Sequence, residues 1–216
     1  MSFLRANGNL LRAGLQFLRA IPRSSDVVTV TDDFEAYTTG ALAGQGNWVL
    51  LITGGHSFAV TDTAGDRRAS LVSGAVGNKR TETIADDQYA QATIDIIGPS
   101  YVGVGVRISG TTSASGFFYY GGTDDSYVVY RVNGSETSLA GGSYASFSTN
   151  DIIKIQISGT ELRVYRNGSL DTRHNGTGIY DVSSIITANS MLESGTVGIW
   201  GNYTDMSIDD FMAGDL

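Results

Sequence analysis

A chain of 216 residues without cysteine has neither a disulfide framework nor a thiolate metal site, and its length suits one all-β domain with a short appendage. The net charge of −8 is unevenly spread: residues 1–23 hold Arg5, Arg12, Arg19 and Arg23 and no acid, whereas the remainder has ten basic and 22 acidic residues, a balance of −12. An acidic body argues against a phosphate-tracking nucleic-acid surface on the domain, and no apolar run approaches the ~20 residues of a membrane-spanning helix.

The first residues repeat. Phe3-Leu4-Arg5-Ala6, Leu10-Leu11-Arg12-Ala13 and Phe17-Leu18-Arg19-Ala20 recur at a spacing of seven, which puts Phe3, Leu10 and Phe17 at one heptad position and Leu4, Leu11 and Leu18 beside them. Gly8 and Gly14 each cost a helix about 1 kcal/mol and Pro22 ends it, so the helix is conditional. Burying its large apolar side chains is worth at most ~10–20 kcal/mol. Fixing about twenty backbone residues costs ~20–40 kcal/mol, so order requires neighbours. Residues 1–23 are therefore expected to form an N-terminal helical arm for oligomerisation or anchoring, with Phe3, Leu4, Leu10, Leu11, Phe17, Leu18, Arg5, Arg12 and Arg19 as its assembly residues. Arg12 and Arg19 interrupt the apolar core that a secretory signal peptide needs. A mitochondrial transit peptide or a helix lying in a membrane surface shares the composition, and the arm is expected to stay on the chain.

Residues 24–30 read as a linker and lead-in strand, and residues 31–216 as the domain. Twenty-eight glycines and two prolines suit short strands joined by tight turns. Trp48–Ile52 and Ser57–Thr61 flank a Gly54-Gly55 turn; Gln88–Ile97 and Tyr101–Ser109 are expected to pair across Pro99. Gly116–Gly121 and Tyr127–Val132 follow, and Asn133-Gly134 turns the chain into Ser135–Leu139. The clearest signal is Asp151 to Leu170. Ile153, Ile155 and Ile157 alternate with Lys154, Gln156 and Ser158; past a turn at Gly159, Leu162 and Val164 continue the apolar row and Arg163 and Tyr165 the polar one. Asn167-Gly168 supplies the positive φ pair of a type I′ turn. A single helical turn fits within Tyr180–Ile186, and strands at Thr196–Trp200 and Met206–Met212 complete the sheet.

Asp33-Phe34, Thr39-Gly40-Ala41-Leu42 with Trp48, Tyr127–Arg131, the hairpin at Gly159 and Asn167-Gly168, Gly195-Thr196-Val197-Gly198-Ile199 and Ile208-Asp209-Asp210-Phe211 occur in an order that resembles the concanavalin A-like lectin/glucanase superfamily. The resemblance covers residues 30–214 and implies an all-β, two-sheet antiparallel jelly-roll sandwich whose first and last strands lie side by side. Such domains recur in phage virions and in secreted carbohydrate-active enzymes. With the arm, the resemblance implies a non-enzymatic structural protein of a phage virion, a capsid decoration, fibre or tail appendage. It would be a homo-oligomer, preferably a trimer, held to other virion proteins by the arm, with a lectin-like domain facing host surface glycans. The alternative is a carbohydrate-binding module or a polysaccharide lyase or glycosidase.

Retaining glucanases of this fold carry Glu-x-Asp-x-Glu on one strand, which sets two carboxylates ~5 Å apart, and the pattern is absent here. His56 and His174 sit beside glycines; the best enzymatic arrangement is a lyase pairing His174 with Tyr165 or Tyr180. No cofactor is expected. Asp32, Asp33, Glu35, Asp209 and Asp210 gather on the strands that the resemblance makes neighbours, and structural calcium, basic neighbours or solvent would each relieve their repulsion. For sugar, a planar ring with polar groups at its rim in a shallow groove of the concave sheet is needed, and the candidates are Tyr165, Arg163, Tyr119, Tyr130, Asp124 and Asp125. Two of the four rings in Phe117-Phe118-Tyr119-Tyr120 must face the core; Tyr165 falls on the wet face.

Deleting residues 1–22 is expected to leave a soluble, folded, monomeric domain that no longer enters the assembly. Sedimentation velocity on both chains checks this. A full-length chain that stays monomeric at high concentration, or a truncated one that still assembles, overturns it.

Overall fold

The structure, a computed structural model, describes residues 28–51, 57–71, 75–142, 146–202 and 205–216. In chain order the strands are β1 (Thr29–Asp32), β2 (Gly40–Ala41), β3 (Trp48–Leu50), β4 (Ala59–Thr63), β5 (Asp66–Ser70) and β6 (Ala75–Arg80). Next come β7 (Gln88–Ile96), β8 (Tyr101–Ser109), β9 (Ser115–Gly121), β10 (Ser126–Val132), β11 (Ser135–Gly142) and β12 (Ile152–Ser158). After β13 (Glu161–Arg166), β14 (Ser169–Leu170) and β15 (Ile179–Asp181), a short helix α1 (Ser183–Ala188) and a 3-10 turn (Ser190–Leu192) lead to β16 (Thr196–Asn202) and β17 (Ser207–Asp215).

Among the described residues these strands form two antiparallel sheets. A ten-stranded sheet runs β14-β13-β12-β7-β17-β5-β4-β2, with β1 also on β17 and β15 also on β13; a seven-stranded sheet runs β11-β10-β9-β8-β16-β6-β3. The isoleucine row closes the space between them: Ile153, Ile155, Ile157, Leu162 and Val164 have no exposed surface, and Lys154 and Gln156 point the other way. Both Asn-Gly pairs take the left-handed backbone their hairpins demand, with φ of 52° and 82° at Asn133-Gly134 and 52° and 78° at Asn167-Gly168.

One pairing expected from sequence is replaced. Strands β7 and β8 lie in different sheets, so the turn at Pro99 carries the chain from one sheet to the other, and β16 and β17, expected to complete one sheet, are likewise divided between the two. Alternation marks one apolar face on each strand, and that face is equally buried whether the next strand lies beside it or opposite it. Here Ala90, Ala92 and Ile94 face the core from one sheet and Val102, Val104 and Val106 from the other. The charged strand β5 was also missed, because Asp66-Arg67-Arg68 has no apolar alternation.

Two rings of β9, Phe117 and Tyr119, enter the main core as expected; the other two are buried as well, Phe118 and Tyr120 joining Leu51, Ile108, Val129 and Trp200 in a second apolar cluster. This layer lies over glycine. A Cβ on Gly105 would come within 2.6 Å of the Phe118 ring, and one on Gly103 within 2.4 Å of the Tyr120 Cβ. The Arg131 guanidinium caps it, 4.5 Å from the Trp200 ring.

The first described strand and the last lie side by side, with Asp32 opposite Phe211. Phe34 and Trp48 continue the contact, Trp48 meeting Phe211 edge-on at 5.0 Å. Asp32 ties both sheets together. Its Oδ2 accepts from Trp48 Nε1 at 2.7 Å, Arg80 Nη1 at 2.9 Å and the Tyr37 hydroxyl at 2.5 Å, and its Oδ1 from the Phe34 amide at 3.0 Å. Burial and this carboxylate push the Tyr37 pKa up to about 12. Asp32→Ala would leave Arg80 with Glu82 alone and strip the Trp48 and Tyr37 donors of their acceptor, and is expected to cost ~2–4 kcal/mol in urea unfolding. A loss below about 1 kcal/mol would mean that the carboxylate holds nothing together.

Candidate functional site

The outer face of the ten-stranded sheet carries the polar half of each alternation, and register decides what meets there. Across β13, β12, β7, β17 and β1, one row reads Tyr165, Lys154, Gln91, Met212 and Thr31; the next reads Arg163, Gln156 and Tyr89; a third reads Ile152, Thr93 and Asp209. Two joined depressions cut this surface. One, of about 220 Å³, is lined by Gln91, Ile152, Lys154, Gln156, Tyr165 and Gly168. The other, of about 650 Å³, shares Gln91 and Ile152 and extends past Thr93 and Met212 to Asp33 and Asp210.

A bulge makes the room. The pairing of β17 with β7 slips between Asp209 and Met212, and Asp210 takes a φ of 47°. The slip falls where the other neighbour of β17 changes from β5 to β1. Lys154 stands in the smaller depression with its Nζ 4.5 Å from the centre of the Tyr89 ring and 5.5 Å from that of Tyr165, and burial lowers its pKa. Exposed apolar surface from Ile152 and Met212 lies beside the amides and hydroxyls. The groove can therefore cover an apolar ring face and read polar groups at its rim.

Of the six sugar-binding candidates, the structure brings two to this face. Tyr165 lines the groove and Arg163 stands one row away, paired with Glu161 at 2.5 Å. Tyr119 turns inward, packs edge-on against Phe147 at 5.3 Å and donates its hydroxyl to Asp171. Tyr130 follows Val128 onto the core side. Asp125 lies in the turn between β9 and β10 of the other sheet, where it accepts the Tyr127 hydroxyl at 2.6 Å, with Asp124 next to it in the same turn. Alternation placed Tyr165 correctly because β13 is flanked by a clear apolar row; in β9 and β10 both faces are apolar, so it could not decide.

Enzymatic and metal candidates are dispersed too. The side chain of His174 is closed off from solvent, 3.2 Å from Ser126 Oγ and edge-on to Tyr119, and burial lowers its pKa; neither it nor the buried Tyr180 reaches the groove. His56 and the arm residues Phe3, Leu4, Arg5, Leu10, Leu11, Arg12, Phe17, Leu18 and Arg19 lie outside the described residues. The five carboxylates proposed for calcium do not converge. Asp32 is neutralised by Arg80, Glu35 accepts the Arg67 amide at 2.7 Å, Asp33 accepts the Glu35 amide and Asp209 the Asp210 amide. Among the described residues no three acidic, histidine or cysteine side chains are grouped to hold a metal. Relief comes from a basic neighbour at Asp32 and from backbone amides at Asp33, Glu35 and Asp209.

The groove residues not named from sequence are Tyr89, Gln91, Thr93, Lys154, Gln156 and Met212. Period two already marks Lys154 and Gln156 as wet, but that β7 lies beside β12 is a long-range fact with no local signal.

No family model matches the chain, and no curated protein matches its sequence. Among solved structures it is similar to a carbohydrate-binding module, CBM66, from Bacillus subtilis, at 12% identity and a TM-score of 0.50 over 81% of this chain and 96% of that one. It is similar to a Bacillus licheniformis β-glucanase at 11% identity and 0.51 over 87% and 98% of the two chains. A third is the exoplasmic/lumenal domain of VIP36 in a Ca²⁺/Man3GlcNAc-bound form, at 11% and 0.53 over 82% and 87%. The fold is a concanavalin A-like jelly roll.

Asp209 borders the groove with its pKa raised to about 6 by burial and by Asp210, Asp66 and Asp95. A folded pKa above the unfolded one means stability that is full below the unfolded value and lost as pH rises through about 6. At pH 7.5 the charge opposes folding. Asp209→Asn is expected to raise stability there by ~1 kcal/mol after solvent screening, and by nothing at pH 4. Thermal melts at both pH values check it, and equal gains at both would refute the charge account.

Proposed function

We propose that this chain is a non-catalytic, lectin-like carbohydrate-binding protein, displayed by its N-terminal arm on a larger assembly of the phage-virion kind. The observation that carries the glycan reading is the row Tyr165, Lys154, Gln91 and Met212, with Gln156 beside it. Rings, amides and an ammonium stand on adjacent strands of one sheet, so their spacing is set by the ladder and little ordering entropy is spent on binding. The named neighbours, a carbohydrate-binding module, a glucanase and a domain holding Man3GlcNAc, support the same class of ligand.

Support for a binder over an enzyme is the composition of the smaller depression, which holds amides and an ammonium where a hydrolase would need a pair of carboxylates. The groove's carboxylates Asp33 and Asp210 line the other depression. Support for the assembly is the seven-residue repeat of Phe/Leu-Leu-Arg-Ala in residues 1–23, which favours copies of the chain gathered by their arms, preferably three. The domain would then face outward from an extracellular particle towards host glycans.

Glycan binding measured by calorimetry should weaken at least tenfold in Tyr165→Ala, a change of ~1.4 kcal/mol. The same protein should release neither reducing ends nor unsaturated sugars from a polysaccharide panel. Unchanged affinity in the variant removes the groove from the reading, and cleavage of any polysaccharide makes the chain an enzyme.

A further inference from the structure

Resting on the glycan reading, we propose that the smaller depression takes an anionic sugar, a carboxylate- or sulfate-bearing unit held by Lys154 and flanked by neutral units that extend towards Asp33 and Asp210. Pairing across the described residues points there. All eight described arginines have a carboxylate partner within the chain: Arg67 with Asp62, Arg68 with Asp66 and Asp95, Arg80 with Asp32 and Glu82, Arg107 with Asp87, Arg131 with Glu136, Arg163 with Glu161, Arg166 with Asp151 and Arg173 with Asp171. In a body with 22 acidic residues, a partner is easily found.

Both lysines are exceptions, and for different reasons. Lys79 spends its ammonium on the Gly110 carbonyl at 2.6 Å. Lys154 makes no hydrogen bond and no ion pair among the described residues, and is held instead by the faces of Tyr89 and Tyr165. Those rings fix the ammonium's place without neutralising it. Gln91 across the ladder and Gln156 two residues on also leave their amides unbonded within the chain. Three polar side chains with unused hydrogen-bonding capacity thus converge in one depression of about 220 Å³.

A neutral sugar would engage the two amides and leave the ammonium uncompensated in a partly desolvated site. A carboxylate or sulfate completes it, because charge-assisted hydrogen bonds are roughly twice as strong as neutral ones. Asp33 and Asp210 set the other boundary. They accept hydrogen bonds from hydroxyls and repel a second anion, so a uniformly charged polymer fits worse than one in which charged and neutral units alternate.

The test is a glycan array of matched neutral, uronate-bearing and sulfated oligosaccharides, probed with the full-length protein and with Lys154→Met, Lys154→Arg and Tyr165→Ala. The expected result is at least tenfold preference for the charged member of a matched pair. That preference should fall as salt rises, vanish in Lys154→Met and persist in Lys154→Arg. The uronate and sulfate arms identify which anion is used, and thermal melts confirm that the variants are folded. Equal binding of charged and neutral members, lost in Tyr165→Ala but not in Lys154→Met, overturns the inference and leaves the glycan reading standing. An array on which nothing binds overturns both.

Discussion

A single buried carboxylate organises this sandwich. Asp32 belongs to β1, yet two of its four donors, the Trp48 indole and the Arg80 guanidinium, come from the other sheet, and the Tyr37 hydroxyl and the Phe34 amide come from the loop that follows β1. An isolated carboxylate in such a place would be costly, and so would an isolated guanidinium. Satisfied together, they help to fix the separation of two sheets that meet mostly through apolar side chains, as does the Arg107 amide bonded to Gln88 Oε1 at 2.9 Å between β8 and β7. The aromatic contact from Phe34 through Trp48 to Phe211 is built around the same point, so the first described strand, the last, and both layers are registered by one polar cluster.

With the layers fixed, the outer faces are free to differ. On the seven-stranded sheet, bare glycines at Gly103 and Gly105 let Phe118 and Tyr120 lie flat, and the result is a second apolar layer capped by Arg131. The ten-stranded sheet keeps its polar residues in ordered rows. A groove forms there because β17 changes neighbours halfway along its length and bulges at Asp210 where it does so. The ion pairing and the unpaired ammonium of Lys154 are two sides of one distribution: among the described residues the arginines are matched to carboxylates and the Lys154 ammonium is not.

The sequence was most readable where one face of a strand is apolar and the other polar. The hairpin of β12 and β13 met that condition, so the side on which Tyr165 falls followed from period two, and its two turns from Gly159 and Asn167-Gly168. It failed at β9, where Phe117 to Tyr120 are apolar on both faces because both faces are buried. Which strands are neighbours was the larger gap. Nothing local distinguishes β7 beside β12 from β7 beside β8, and the groove depends on that choice, so only one of its two tyrosines was named beforehand. The acidic residues around Asp32 were legible as a group with calcium, basic neighbours or solvent as their relief, but the choice of Arg80 for Asp32 was not, because Arg80 is far away in sequence and its approach is a product of the fold.

The junction between β1 and β17 also has a mechanical meaning. If the domain is held by its arm while a ligand is held in the groove, tension enters through Thr29 and must reach β7, β12 and β13 by way of β17. Only four residue pairs join β1 to β17, from Thr29 opposite Gly214 to Asp32 opposite Phe211. Force along the strand loads those hydrogen bonds simultaneously, whereas force across it would open them one at a time. At the far end of the pairing sits the Asp32 cluster, where the load would meet a charge-assisted anchor in place of a frayed strand end. Under such a load, the polar cluster that joins the two sheets would lie at the end of the pairing farthest from the point where tension enters.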